Sequence, residues 1–213
     1  MKKLIFPLLL MLAIGMLAAV ESDPSNVVGY VKYPCVAGVN TIAIPMEQGF
    51  EWASDVGDNI GATSVGTWNP GTELWDTIGA FPWGGWDGDD FEVAPGAPLL
   101  VSVDDALDFY SIGALPVPAT YALMAGVNTI MVPLNKSDLS MASEVGDDVG
   151  ATSVGAWNPS SELWDTIGAF PWGGWDGDDF ETPIGTPLLV SVDDAMNWPY
   201  AAAMRGTFNV KTK

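Results

Sequence analysis

The chain contains one unit twice, and this repetition constrains its fold more than any other feature. Ala37-Gly38-Val39-Asn40-Thr41-Ile42 recurs as Ala125-Gly126-Val127-Asn128-Thr129-Ile130, an offset of 88 residues. Gly61 to Glu92 recurs as Gly150 to Glu181 at an offset of 89, and these 32 positions differ only at Thr67/Ala156, Gly71/Ser160 and Thr72/Ser161. Pro98 to Ala106 returns unchanged as Pro187 to Ala195. Two copies this similar must share one local fold, and fixed-period similarity in one chain predicts repeated units packed on each other. Divergence is uneven: Met46 to Trp52 has little in common with Leu134 to Met141, and Val93-Ala94-Pro95 faces Thr182-Pro183-Ile184.

Within a copy the pattern is that of short strands. Val27 to Tyr33 is rich in Val and Tyr, and Ile42, Ile44 and Met46 fall on one face at period two, as do Ile130, Val132 and Leu134. Ala62 to Trp68 and Glu73 to Thr77 flank Asn69-Pro70-Gly71, a type II signal, whereas Pro159-Ser160 suits type I. Leu99, Val101 and Val103 alternate with Leu100, Ser102 and Asp104. One brief helix per copy is expected, with Phe50, Ala53 and Val56 (Leu139, Ala142 and Val145) spaced by three and Gly57 or Gly146 as the stop. A further strand is expected near Phe109 and Trp198. The expected fold is all-β: two tandem homologous units packed as a pseudo-twofold β-sandwich or barrel, with one short helix per unit. The division is 1–20, 21–113, 114–203 and 204–213 for signal peptide, first repeat, second repeat and basic strand or tail.

Ser25-Asn26-Val27-Val28-Gly29-Tyr30, followed by Gly38-Val39-Asn40-Thr41-Ile42, resembles the start of poorly characterised secreted bacterial β-repeat surface proteins. That resemblance implies an exported, β-rich surface or matrix protein and supplies no catalytic residues.

The ends agree with export. Lys2 and Lys3 precede an uncharged, apolar run from Leu4 to Val20, which reads as a signal peptide rather than a spanning helix of about 20 residues. Secretion to the outside or the cell surface is expected, with no membrane insertion after cleavage. Beyond Val20 stand 27 acidic and five basic residues, a net charge of −22. Such a surface repels nucleic acid. Cys35, alone in the chain, aligns with Leu123 and is expected to be a buried, hydrophobe-like thiol.

No histidine is present, which removes the commonest general base and transition-metal ligand. The chain is accordingly read as not an enzyme. The segment Phe81 to Glu92, repeated as Phe170 to Glu181, crowds carboxylates around a glycine. Asp87, Asp89, Asp90 and Glu92, with Asp176, Asp178, Asp179 and Glu181, are candidate calcium ligands on that ground. Trp83, Trp86, Trp172 and Trp175 sit among glycines beside these acids and are candidate sugar-stacking residues. Of the other tryptophans, Trp68, Trp75, Trp157 and Trp164 on the hairpin strands are expected in the core. After Asp194 the chain has no acid, yet it carries Arg205, Lys211 and Lys213, with Phe208 and Val210 alternating in a strand-like pattern. These five residues are candidates for docking on the acidic body of another copy. The expectation is therefore an extracellular structural or self-assembling subunit (filament, matrix or surface layer), calcium-stabilised, whose partner is itself. The alternative is a secreted carbohydrate-binding module that takes an extracellular glycan.

Overall fold

The computed structural model describes residues 28–199. Residues 1–20, expected to be a signal peptide, and Arg205, Phe208, Val210, Lys211 and Lys213 lie outside the described residues.

Each unit is built in the same order. Unit 1 comprises β1 (Val28–Cys35), β2 (Gly38–Ala43), α1 (Ala53–Ile60), β3 (Ser64–Asn69), β4 (Leu74–Ala80), β5 (Trp86–Asp87), β6 (Pro98–Val103) and β7 (Leu107–Ala114). Unit 2 comprises β8 (Tyr121–Leu123), β9 (Gly126–Met131), α2 (Ala142–Val149), β10 (Ser153–Asn158), β11 (Leu163–Ala169), β12 (Trp175–Asp176), β13 (Pro187–Val192) and β14 (Met196–Trp198). Five strands form an antiparallel sheet in the order β2-β6-β3-β4-β5, mirrored by β9-β13-β10-β11-β12. The first and last strands of each unit pair separately as a ribbon, β1 with β7 and β8 with β14.

The period-two pattern does what it predicts. Ile42, Val65, Ile78, Leu99 and Val101 point to one face, where α1 and the β1–β7 ribbon cover them, and Ile130, Val154, Ile167, Leu188 and Val190 do the same in unit 2. Cys35 is buried in the first core as expected, and burial pushes its thiol pKa up.

The opposite faces of the two sheets meet each other. β2, β3 and β6 approach β9, β10 and β13, with Cα atoms of β6 and β13 coming within 8 Å. Sheets packed face to face usually stand about 10 Å apart. The back-face positions Ser64, Gly66, Ser102 and Ser191 are small enough to allow the closer approach. The result is a two-unit sandwich, with no closed barrel among the described residues.

Reciprocal hydrogen bonds show its pseudo-twofold symmetry. Trp68 Nε1 donates to the Val127 carbonyl at 2.7 Å, and Trp157 Nε1 donates to the Val39 carbonyl at 2.8 Å. The Tyr33 hydroxyl donates to Gly185 O, and the Tyr121 hydroxyl to Gly96 O, each at 2.8 Å. Burial pushes both phenols above their usual range, so they remain donors. Trp75 and Trp164 pack edge-on against Trp68 and Trp157 with centroids 5.5 Å apart. The hairpin tryptophans therefore join the units more than they fill either core.

Two local expectations are corrected. Gly57 and Gly146 do not stop the helices but lie inside them, and the left-handed stops are Gly61 and Gly150. The Pro70-Gly71 loop is not type II, because Gly71 keeps a negative φ and the left-handed residue is Glu73, matched by Glu162. Asn69 Oδ1 accepts the amides of Gly71 and Thr72 and sets the loop itself, as Asn158 does in unit 2.

The copies also differ at one buried point. Thr182 is fully buried and its hydroxyl has no partner among the described residues, whereas unit 1 places Val93 in the core there. A stranded buried hydroxyl costs about 1–3 kcal/mol, and Val has nearly the shape of Thr. Thr182→Val should therefore raise the urea midpoint of unfolding at unchanged slope. An unchanged or lower midpoint would mean that the hydroxyl is satisfied.

Candidate functional site

At the sheet edge remote from the other unit, β4 turns into β5 through Phe81-Pro82-Trp83-Gly84-Gly85. The turn is closed by Phe81 N donating to Gly85 O at 2.9 Å and Gly84 N donating to Phe81 O at 3.0 Å. Gly84 and Gly85 both take positive φ, near +95° and +89°, which side chains other than glycine's rarely adopt. The turn throws Trp83 outward: its side chain is 80% exposed and stacks on Phe81, with centroids 5.0 Å apart and an interplanar angle of 14°. Trp172 is equally exposed and stacks identically on Phe170. One indole face is thus propped by a phenyl ring while the rest faces solvent.

Trp86 and Trp175 are placed differently. Each is half-buried, lies over a helix glycine (Gly57 or Gly146), and donates its indole N–H at 3.0 Å to Asp58 or Asp147. They lock hairpin to helix instead of standing out from the surface beside Trp83 and Trp172.

The acidic loops also divide by role. Asp90 accepts from Ser54 N and, at 2.6 Å, from Ser54 Oγ, and Asp179 does the same for Ser143. These carboxylates reach across from the loop to satisfy the first turn of α1 and α2. Within each helix, Asp55 accepts the amides of Trp52 and Glu51, and Glu144 those of Ser140 and Met141. Those bonds hold both carboxyls below their usual range. Asp87 and Asp176 sit exposed on β5 and β12, Asp89 and Asp178 are exposed on the following loop, and Glu92 and Glu181 pair through backbone bridges with Trp52 and Met141. Among the described residues no three acids form a group that could hold a metal ion.

Beside the second hairpin, Trp164, Asp165, Thr166, Asp178, Asp179 and Phe180 line a groove of about 400 Å³. Aromatic walls and carboxylate or hydroxyl acceptors meet there. The sequence carries no signal for this groove, because β11 and the segment after β12 meet only in the fold. No family model, curated protein or solved structure matches the chain.

Proposed function

We propose that the chain is an exported, non-catalytic binding protein whose two units each present one tryptophan hairpin to a polysaccharide. The observation that carries this reading is the pair of exposed, phenyl-backed indoles of Trp83 and Trp172 at the two outer sheet edges. The C–H face of a sugar ring stacks on such an indole, while nearby Asp87, Asp89, Asp176 and Asp178 offer acceptors for hydroxyls. The hairpin sequence Phe81 to Glu92 is identical in both units, so both sites have the same preference. The pseudo-twofold axis relates them, which makes the protein bivalent, and two linked sites retain a polymer far better than one. A chain without histidine agrees with a binding role.

Migration through gels containing dissolved polysaccharides tests the reading. The intact protein should be retarded by at least one polymer. Trp83→Ala or Trp172→Ala alone should lose more than tenfold in apparent affinity, and both together should abolish retardation without changing the melting temperature, since neither ring is in the core. Unaltered retardation of the double variant would remove the hairpins from the binding site.

A further inference from the structure

Two of the segments in which the units diverge come together in space. Met46–Trp52 and Val93–Pro95 are separated by a helix and three strands, yet Phe50, Glu51, Trp52, Glu92, Val93 and Ala94 line one groove of about 470 Å³. The counterpart in unit 2, of about 250 Å³, has Leu139, Ser140 and Met141 in place of Phe50, Glu51 and Trp52, and keeps Glu181. Nearly identical blocks flank both divergent segments in the sequence. The two grooves therefore present different surfaces for contact.

The chemistry of the unit 1 groove is specific. Trp52 is 42% exposed, pairs through a backbone bridge with the exposed Glu92, and lines the groove together with the exposed Glu51 and with Phe50 and Val93. A groove that offers an indole and two carboxylates suits a guanidinium or ammonium group with an apolar stem. The described body cannot supply that group freely: its two cations, Lys32 and Lys136, are already paired with Asp108 at 2.7 Å and Asp148 at 2.8 Å. The remaining basic residues beyond position 20 are Arg205, Lys211 and Lys213, on a segment that also carries Phe208 and Val210.

We infer that the Glu51–Trp52–Glu92 groove of unit 1 receives the basic C-terminal segment, residues 204–213, of a second copy of the chain. The segment leaves from unit 2, whose own groove carries Ser140 and Met141 in place of Glu51 and Trp52, so the acceptor and the donor sit on different units. Each copy then has one donor and one acceptor, which join copies either by reciprocal exchange in a closed twofold pair or head to tail in an open chain. The body between them carries 25 acids against two cations, which attracts a basic segment from a distance and makes docking sensitive to salt.

The test uses the full chain beyond residue 20. Glu51→Ser with Trp52→Met installs the residues that unit 2 already accommodates at the equivalent positions, so folding is preserved. The parent protein should sediment as concentration-dependent oligomers at low salt that shrink as salt is added, and the double variant as a monomer. A synthetic peptide of residues 204–213 should bind the tail-deleted protein at one site per chain, at least tenfold more weakly in the double variant. Equal assembly by parent and variant overturns the inference, as does a parent that is monomeric at every concentration. If that monomeric parent binds added peptide only after its own tail is deleted, the tail occupies its own chain. Saccharide binding at Trp83 and Trp172 is read separately and is unaffected by either outcome.

Discussion

Replacing Asn40 by Ala should destabilise the protein by about 3 kcal/mol, and Asn128→Ala should do the same in unit 2. Asn40 is buried on β2, and its side chain reaches back to the turn that follows β1 and makes three bonds: Oδ1 accepts from Val36 N at 2.9 Å, and Nδ2 donates to Val36 O at 2.8 Å and Gly38 O at 3.0 Å. Asn128 repeats this network on Met124 and Gly126. An alanine strands three backbone groups at once, and each stranded buried group costs about 1–3 kcal/mol, lessened where water reaches it. At roughly 2–4 °C per kcal/mol for a protein of this size, the melting temperature should fall by about 6–12 °C. Asn40→Asp should be no better at neutral pH, because a carboxylate can accept from Val36 N but then faces two carbonyls. That variant should recover part of its stability as pH falls and the acid becomes a donor. A loss below about 1 kcal/mol for Asn40→Ala would mean that strand register alone holds the turn.

The second large effect has a sign opposite to helix propensity. Alanine is favoured over glycine inside a helix by about 1 kcal/mol, so Gly57→Ala in α1 would ordinarily stabilise. Here a Cβ on Gly57 would lie 2.2 Å from the Trp86 ring, and one on Gly146 equally close to Trp175. The ring also donates to Asp58, so it cannot move without losing that bond. Overpacking of this kind costs about 1–3 kcal/mol or more, and Gly57→Ala should lower stability by about 2 kcal/mol. In a chain that also carries Trp86→Leu, Gly57→Ala should cost less than half as much, since the obstructing ring is gone. Equal cost in both backgrounds would show that the ring is not what excludes the methyl group.

These two positions show how far the residues alone reach. The Gly-x-Asn-x-Ile motif and the period-two strands are local, and they announce the strands, the repeat and the buried Cys35 directly. Glycine at 57 reads as a helix stop because stops are the commonest local reason for glycine there, yet its actual reason is a tryptophan 29 positions away. The same distance effect hides the roles of Asp90 and Asp179, whose partners are the ends of α1 and α2, and separates Trp86 from Trp83 although only Gly84 and Gly85 lie between them. The contacts between units, through Trp68, Trp157, Tyr33 and Tyr121, join residues from 25 to 152 positions apart. Uneven divergence is visible in the sequence, but that two of the divergent segments meet in one groove requires the fold.

The central claim is that two equivalent hairpins bind saccharide. Calorimetric titration with a soluble oligosaccharide of a polymer that retards the protein counts the sites directly. Two equal sites per chain are predicted for the parent, one for Trp172→Ala and none when Trp83→Ala is added. Full binding by the chain lacking both indoles, or two sites surviving either single substitution, would contradict the account.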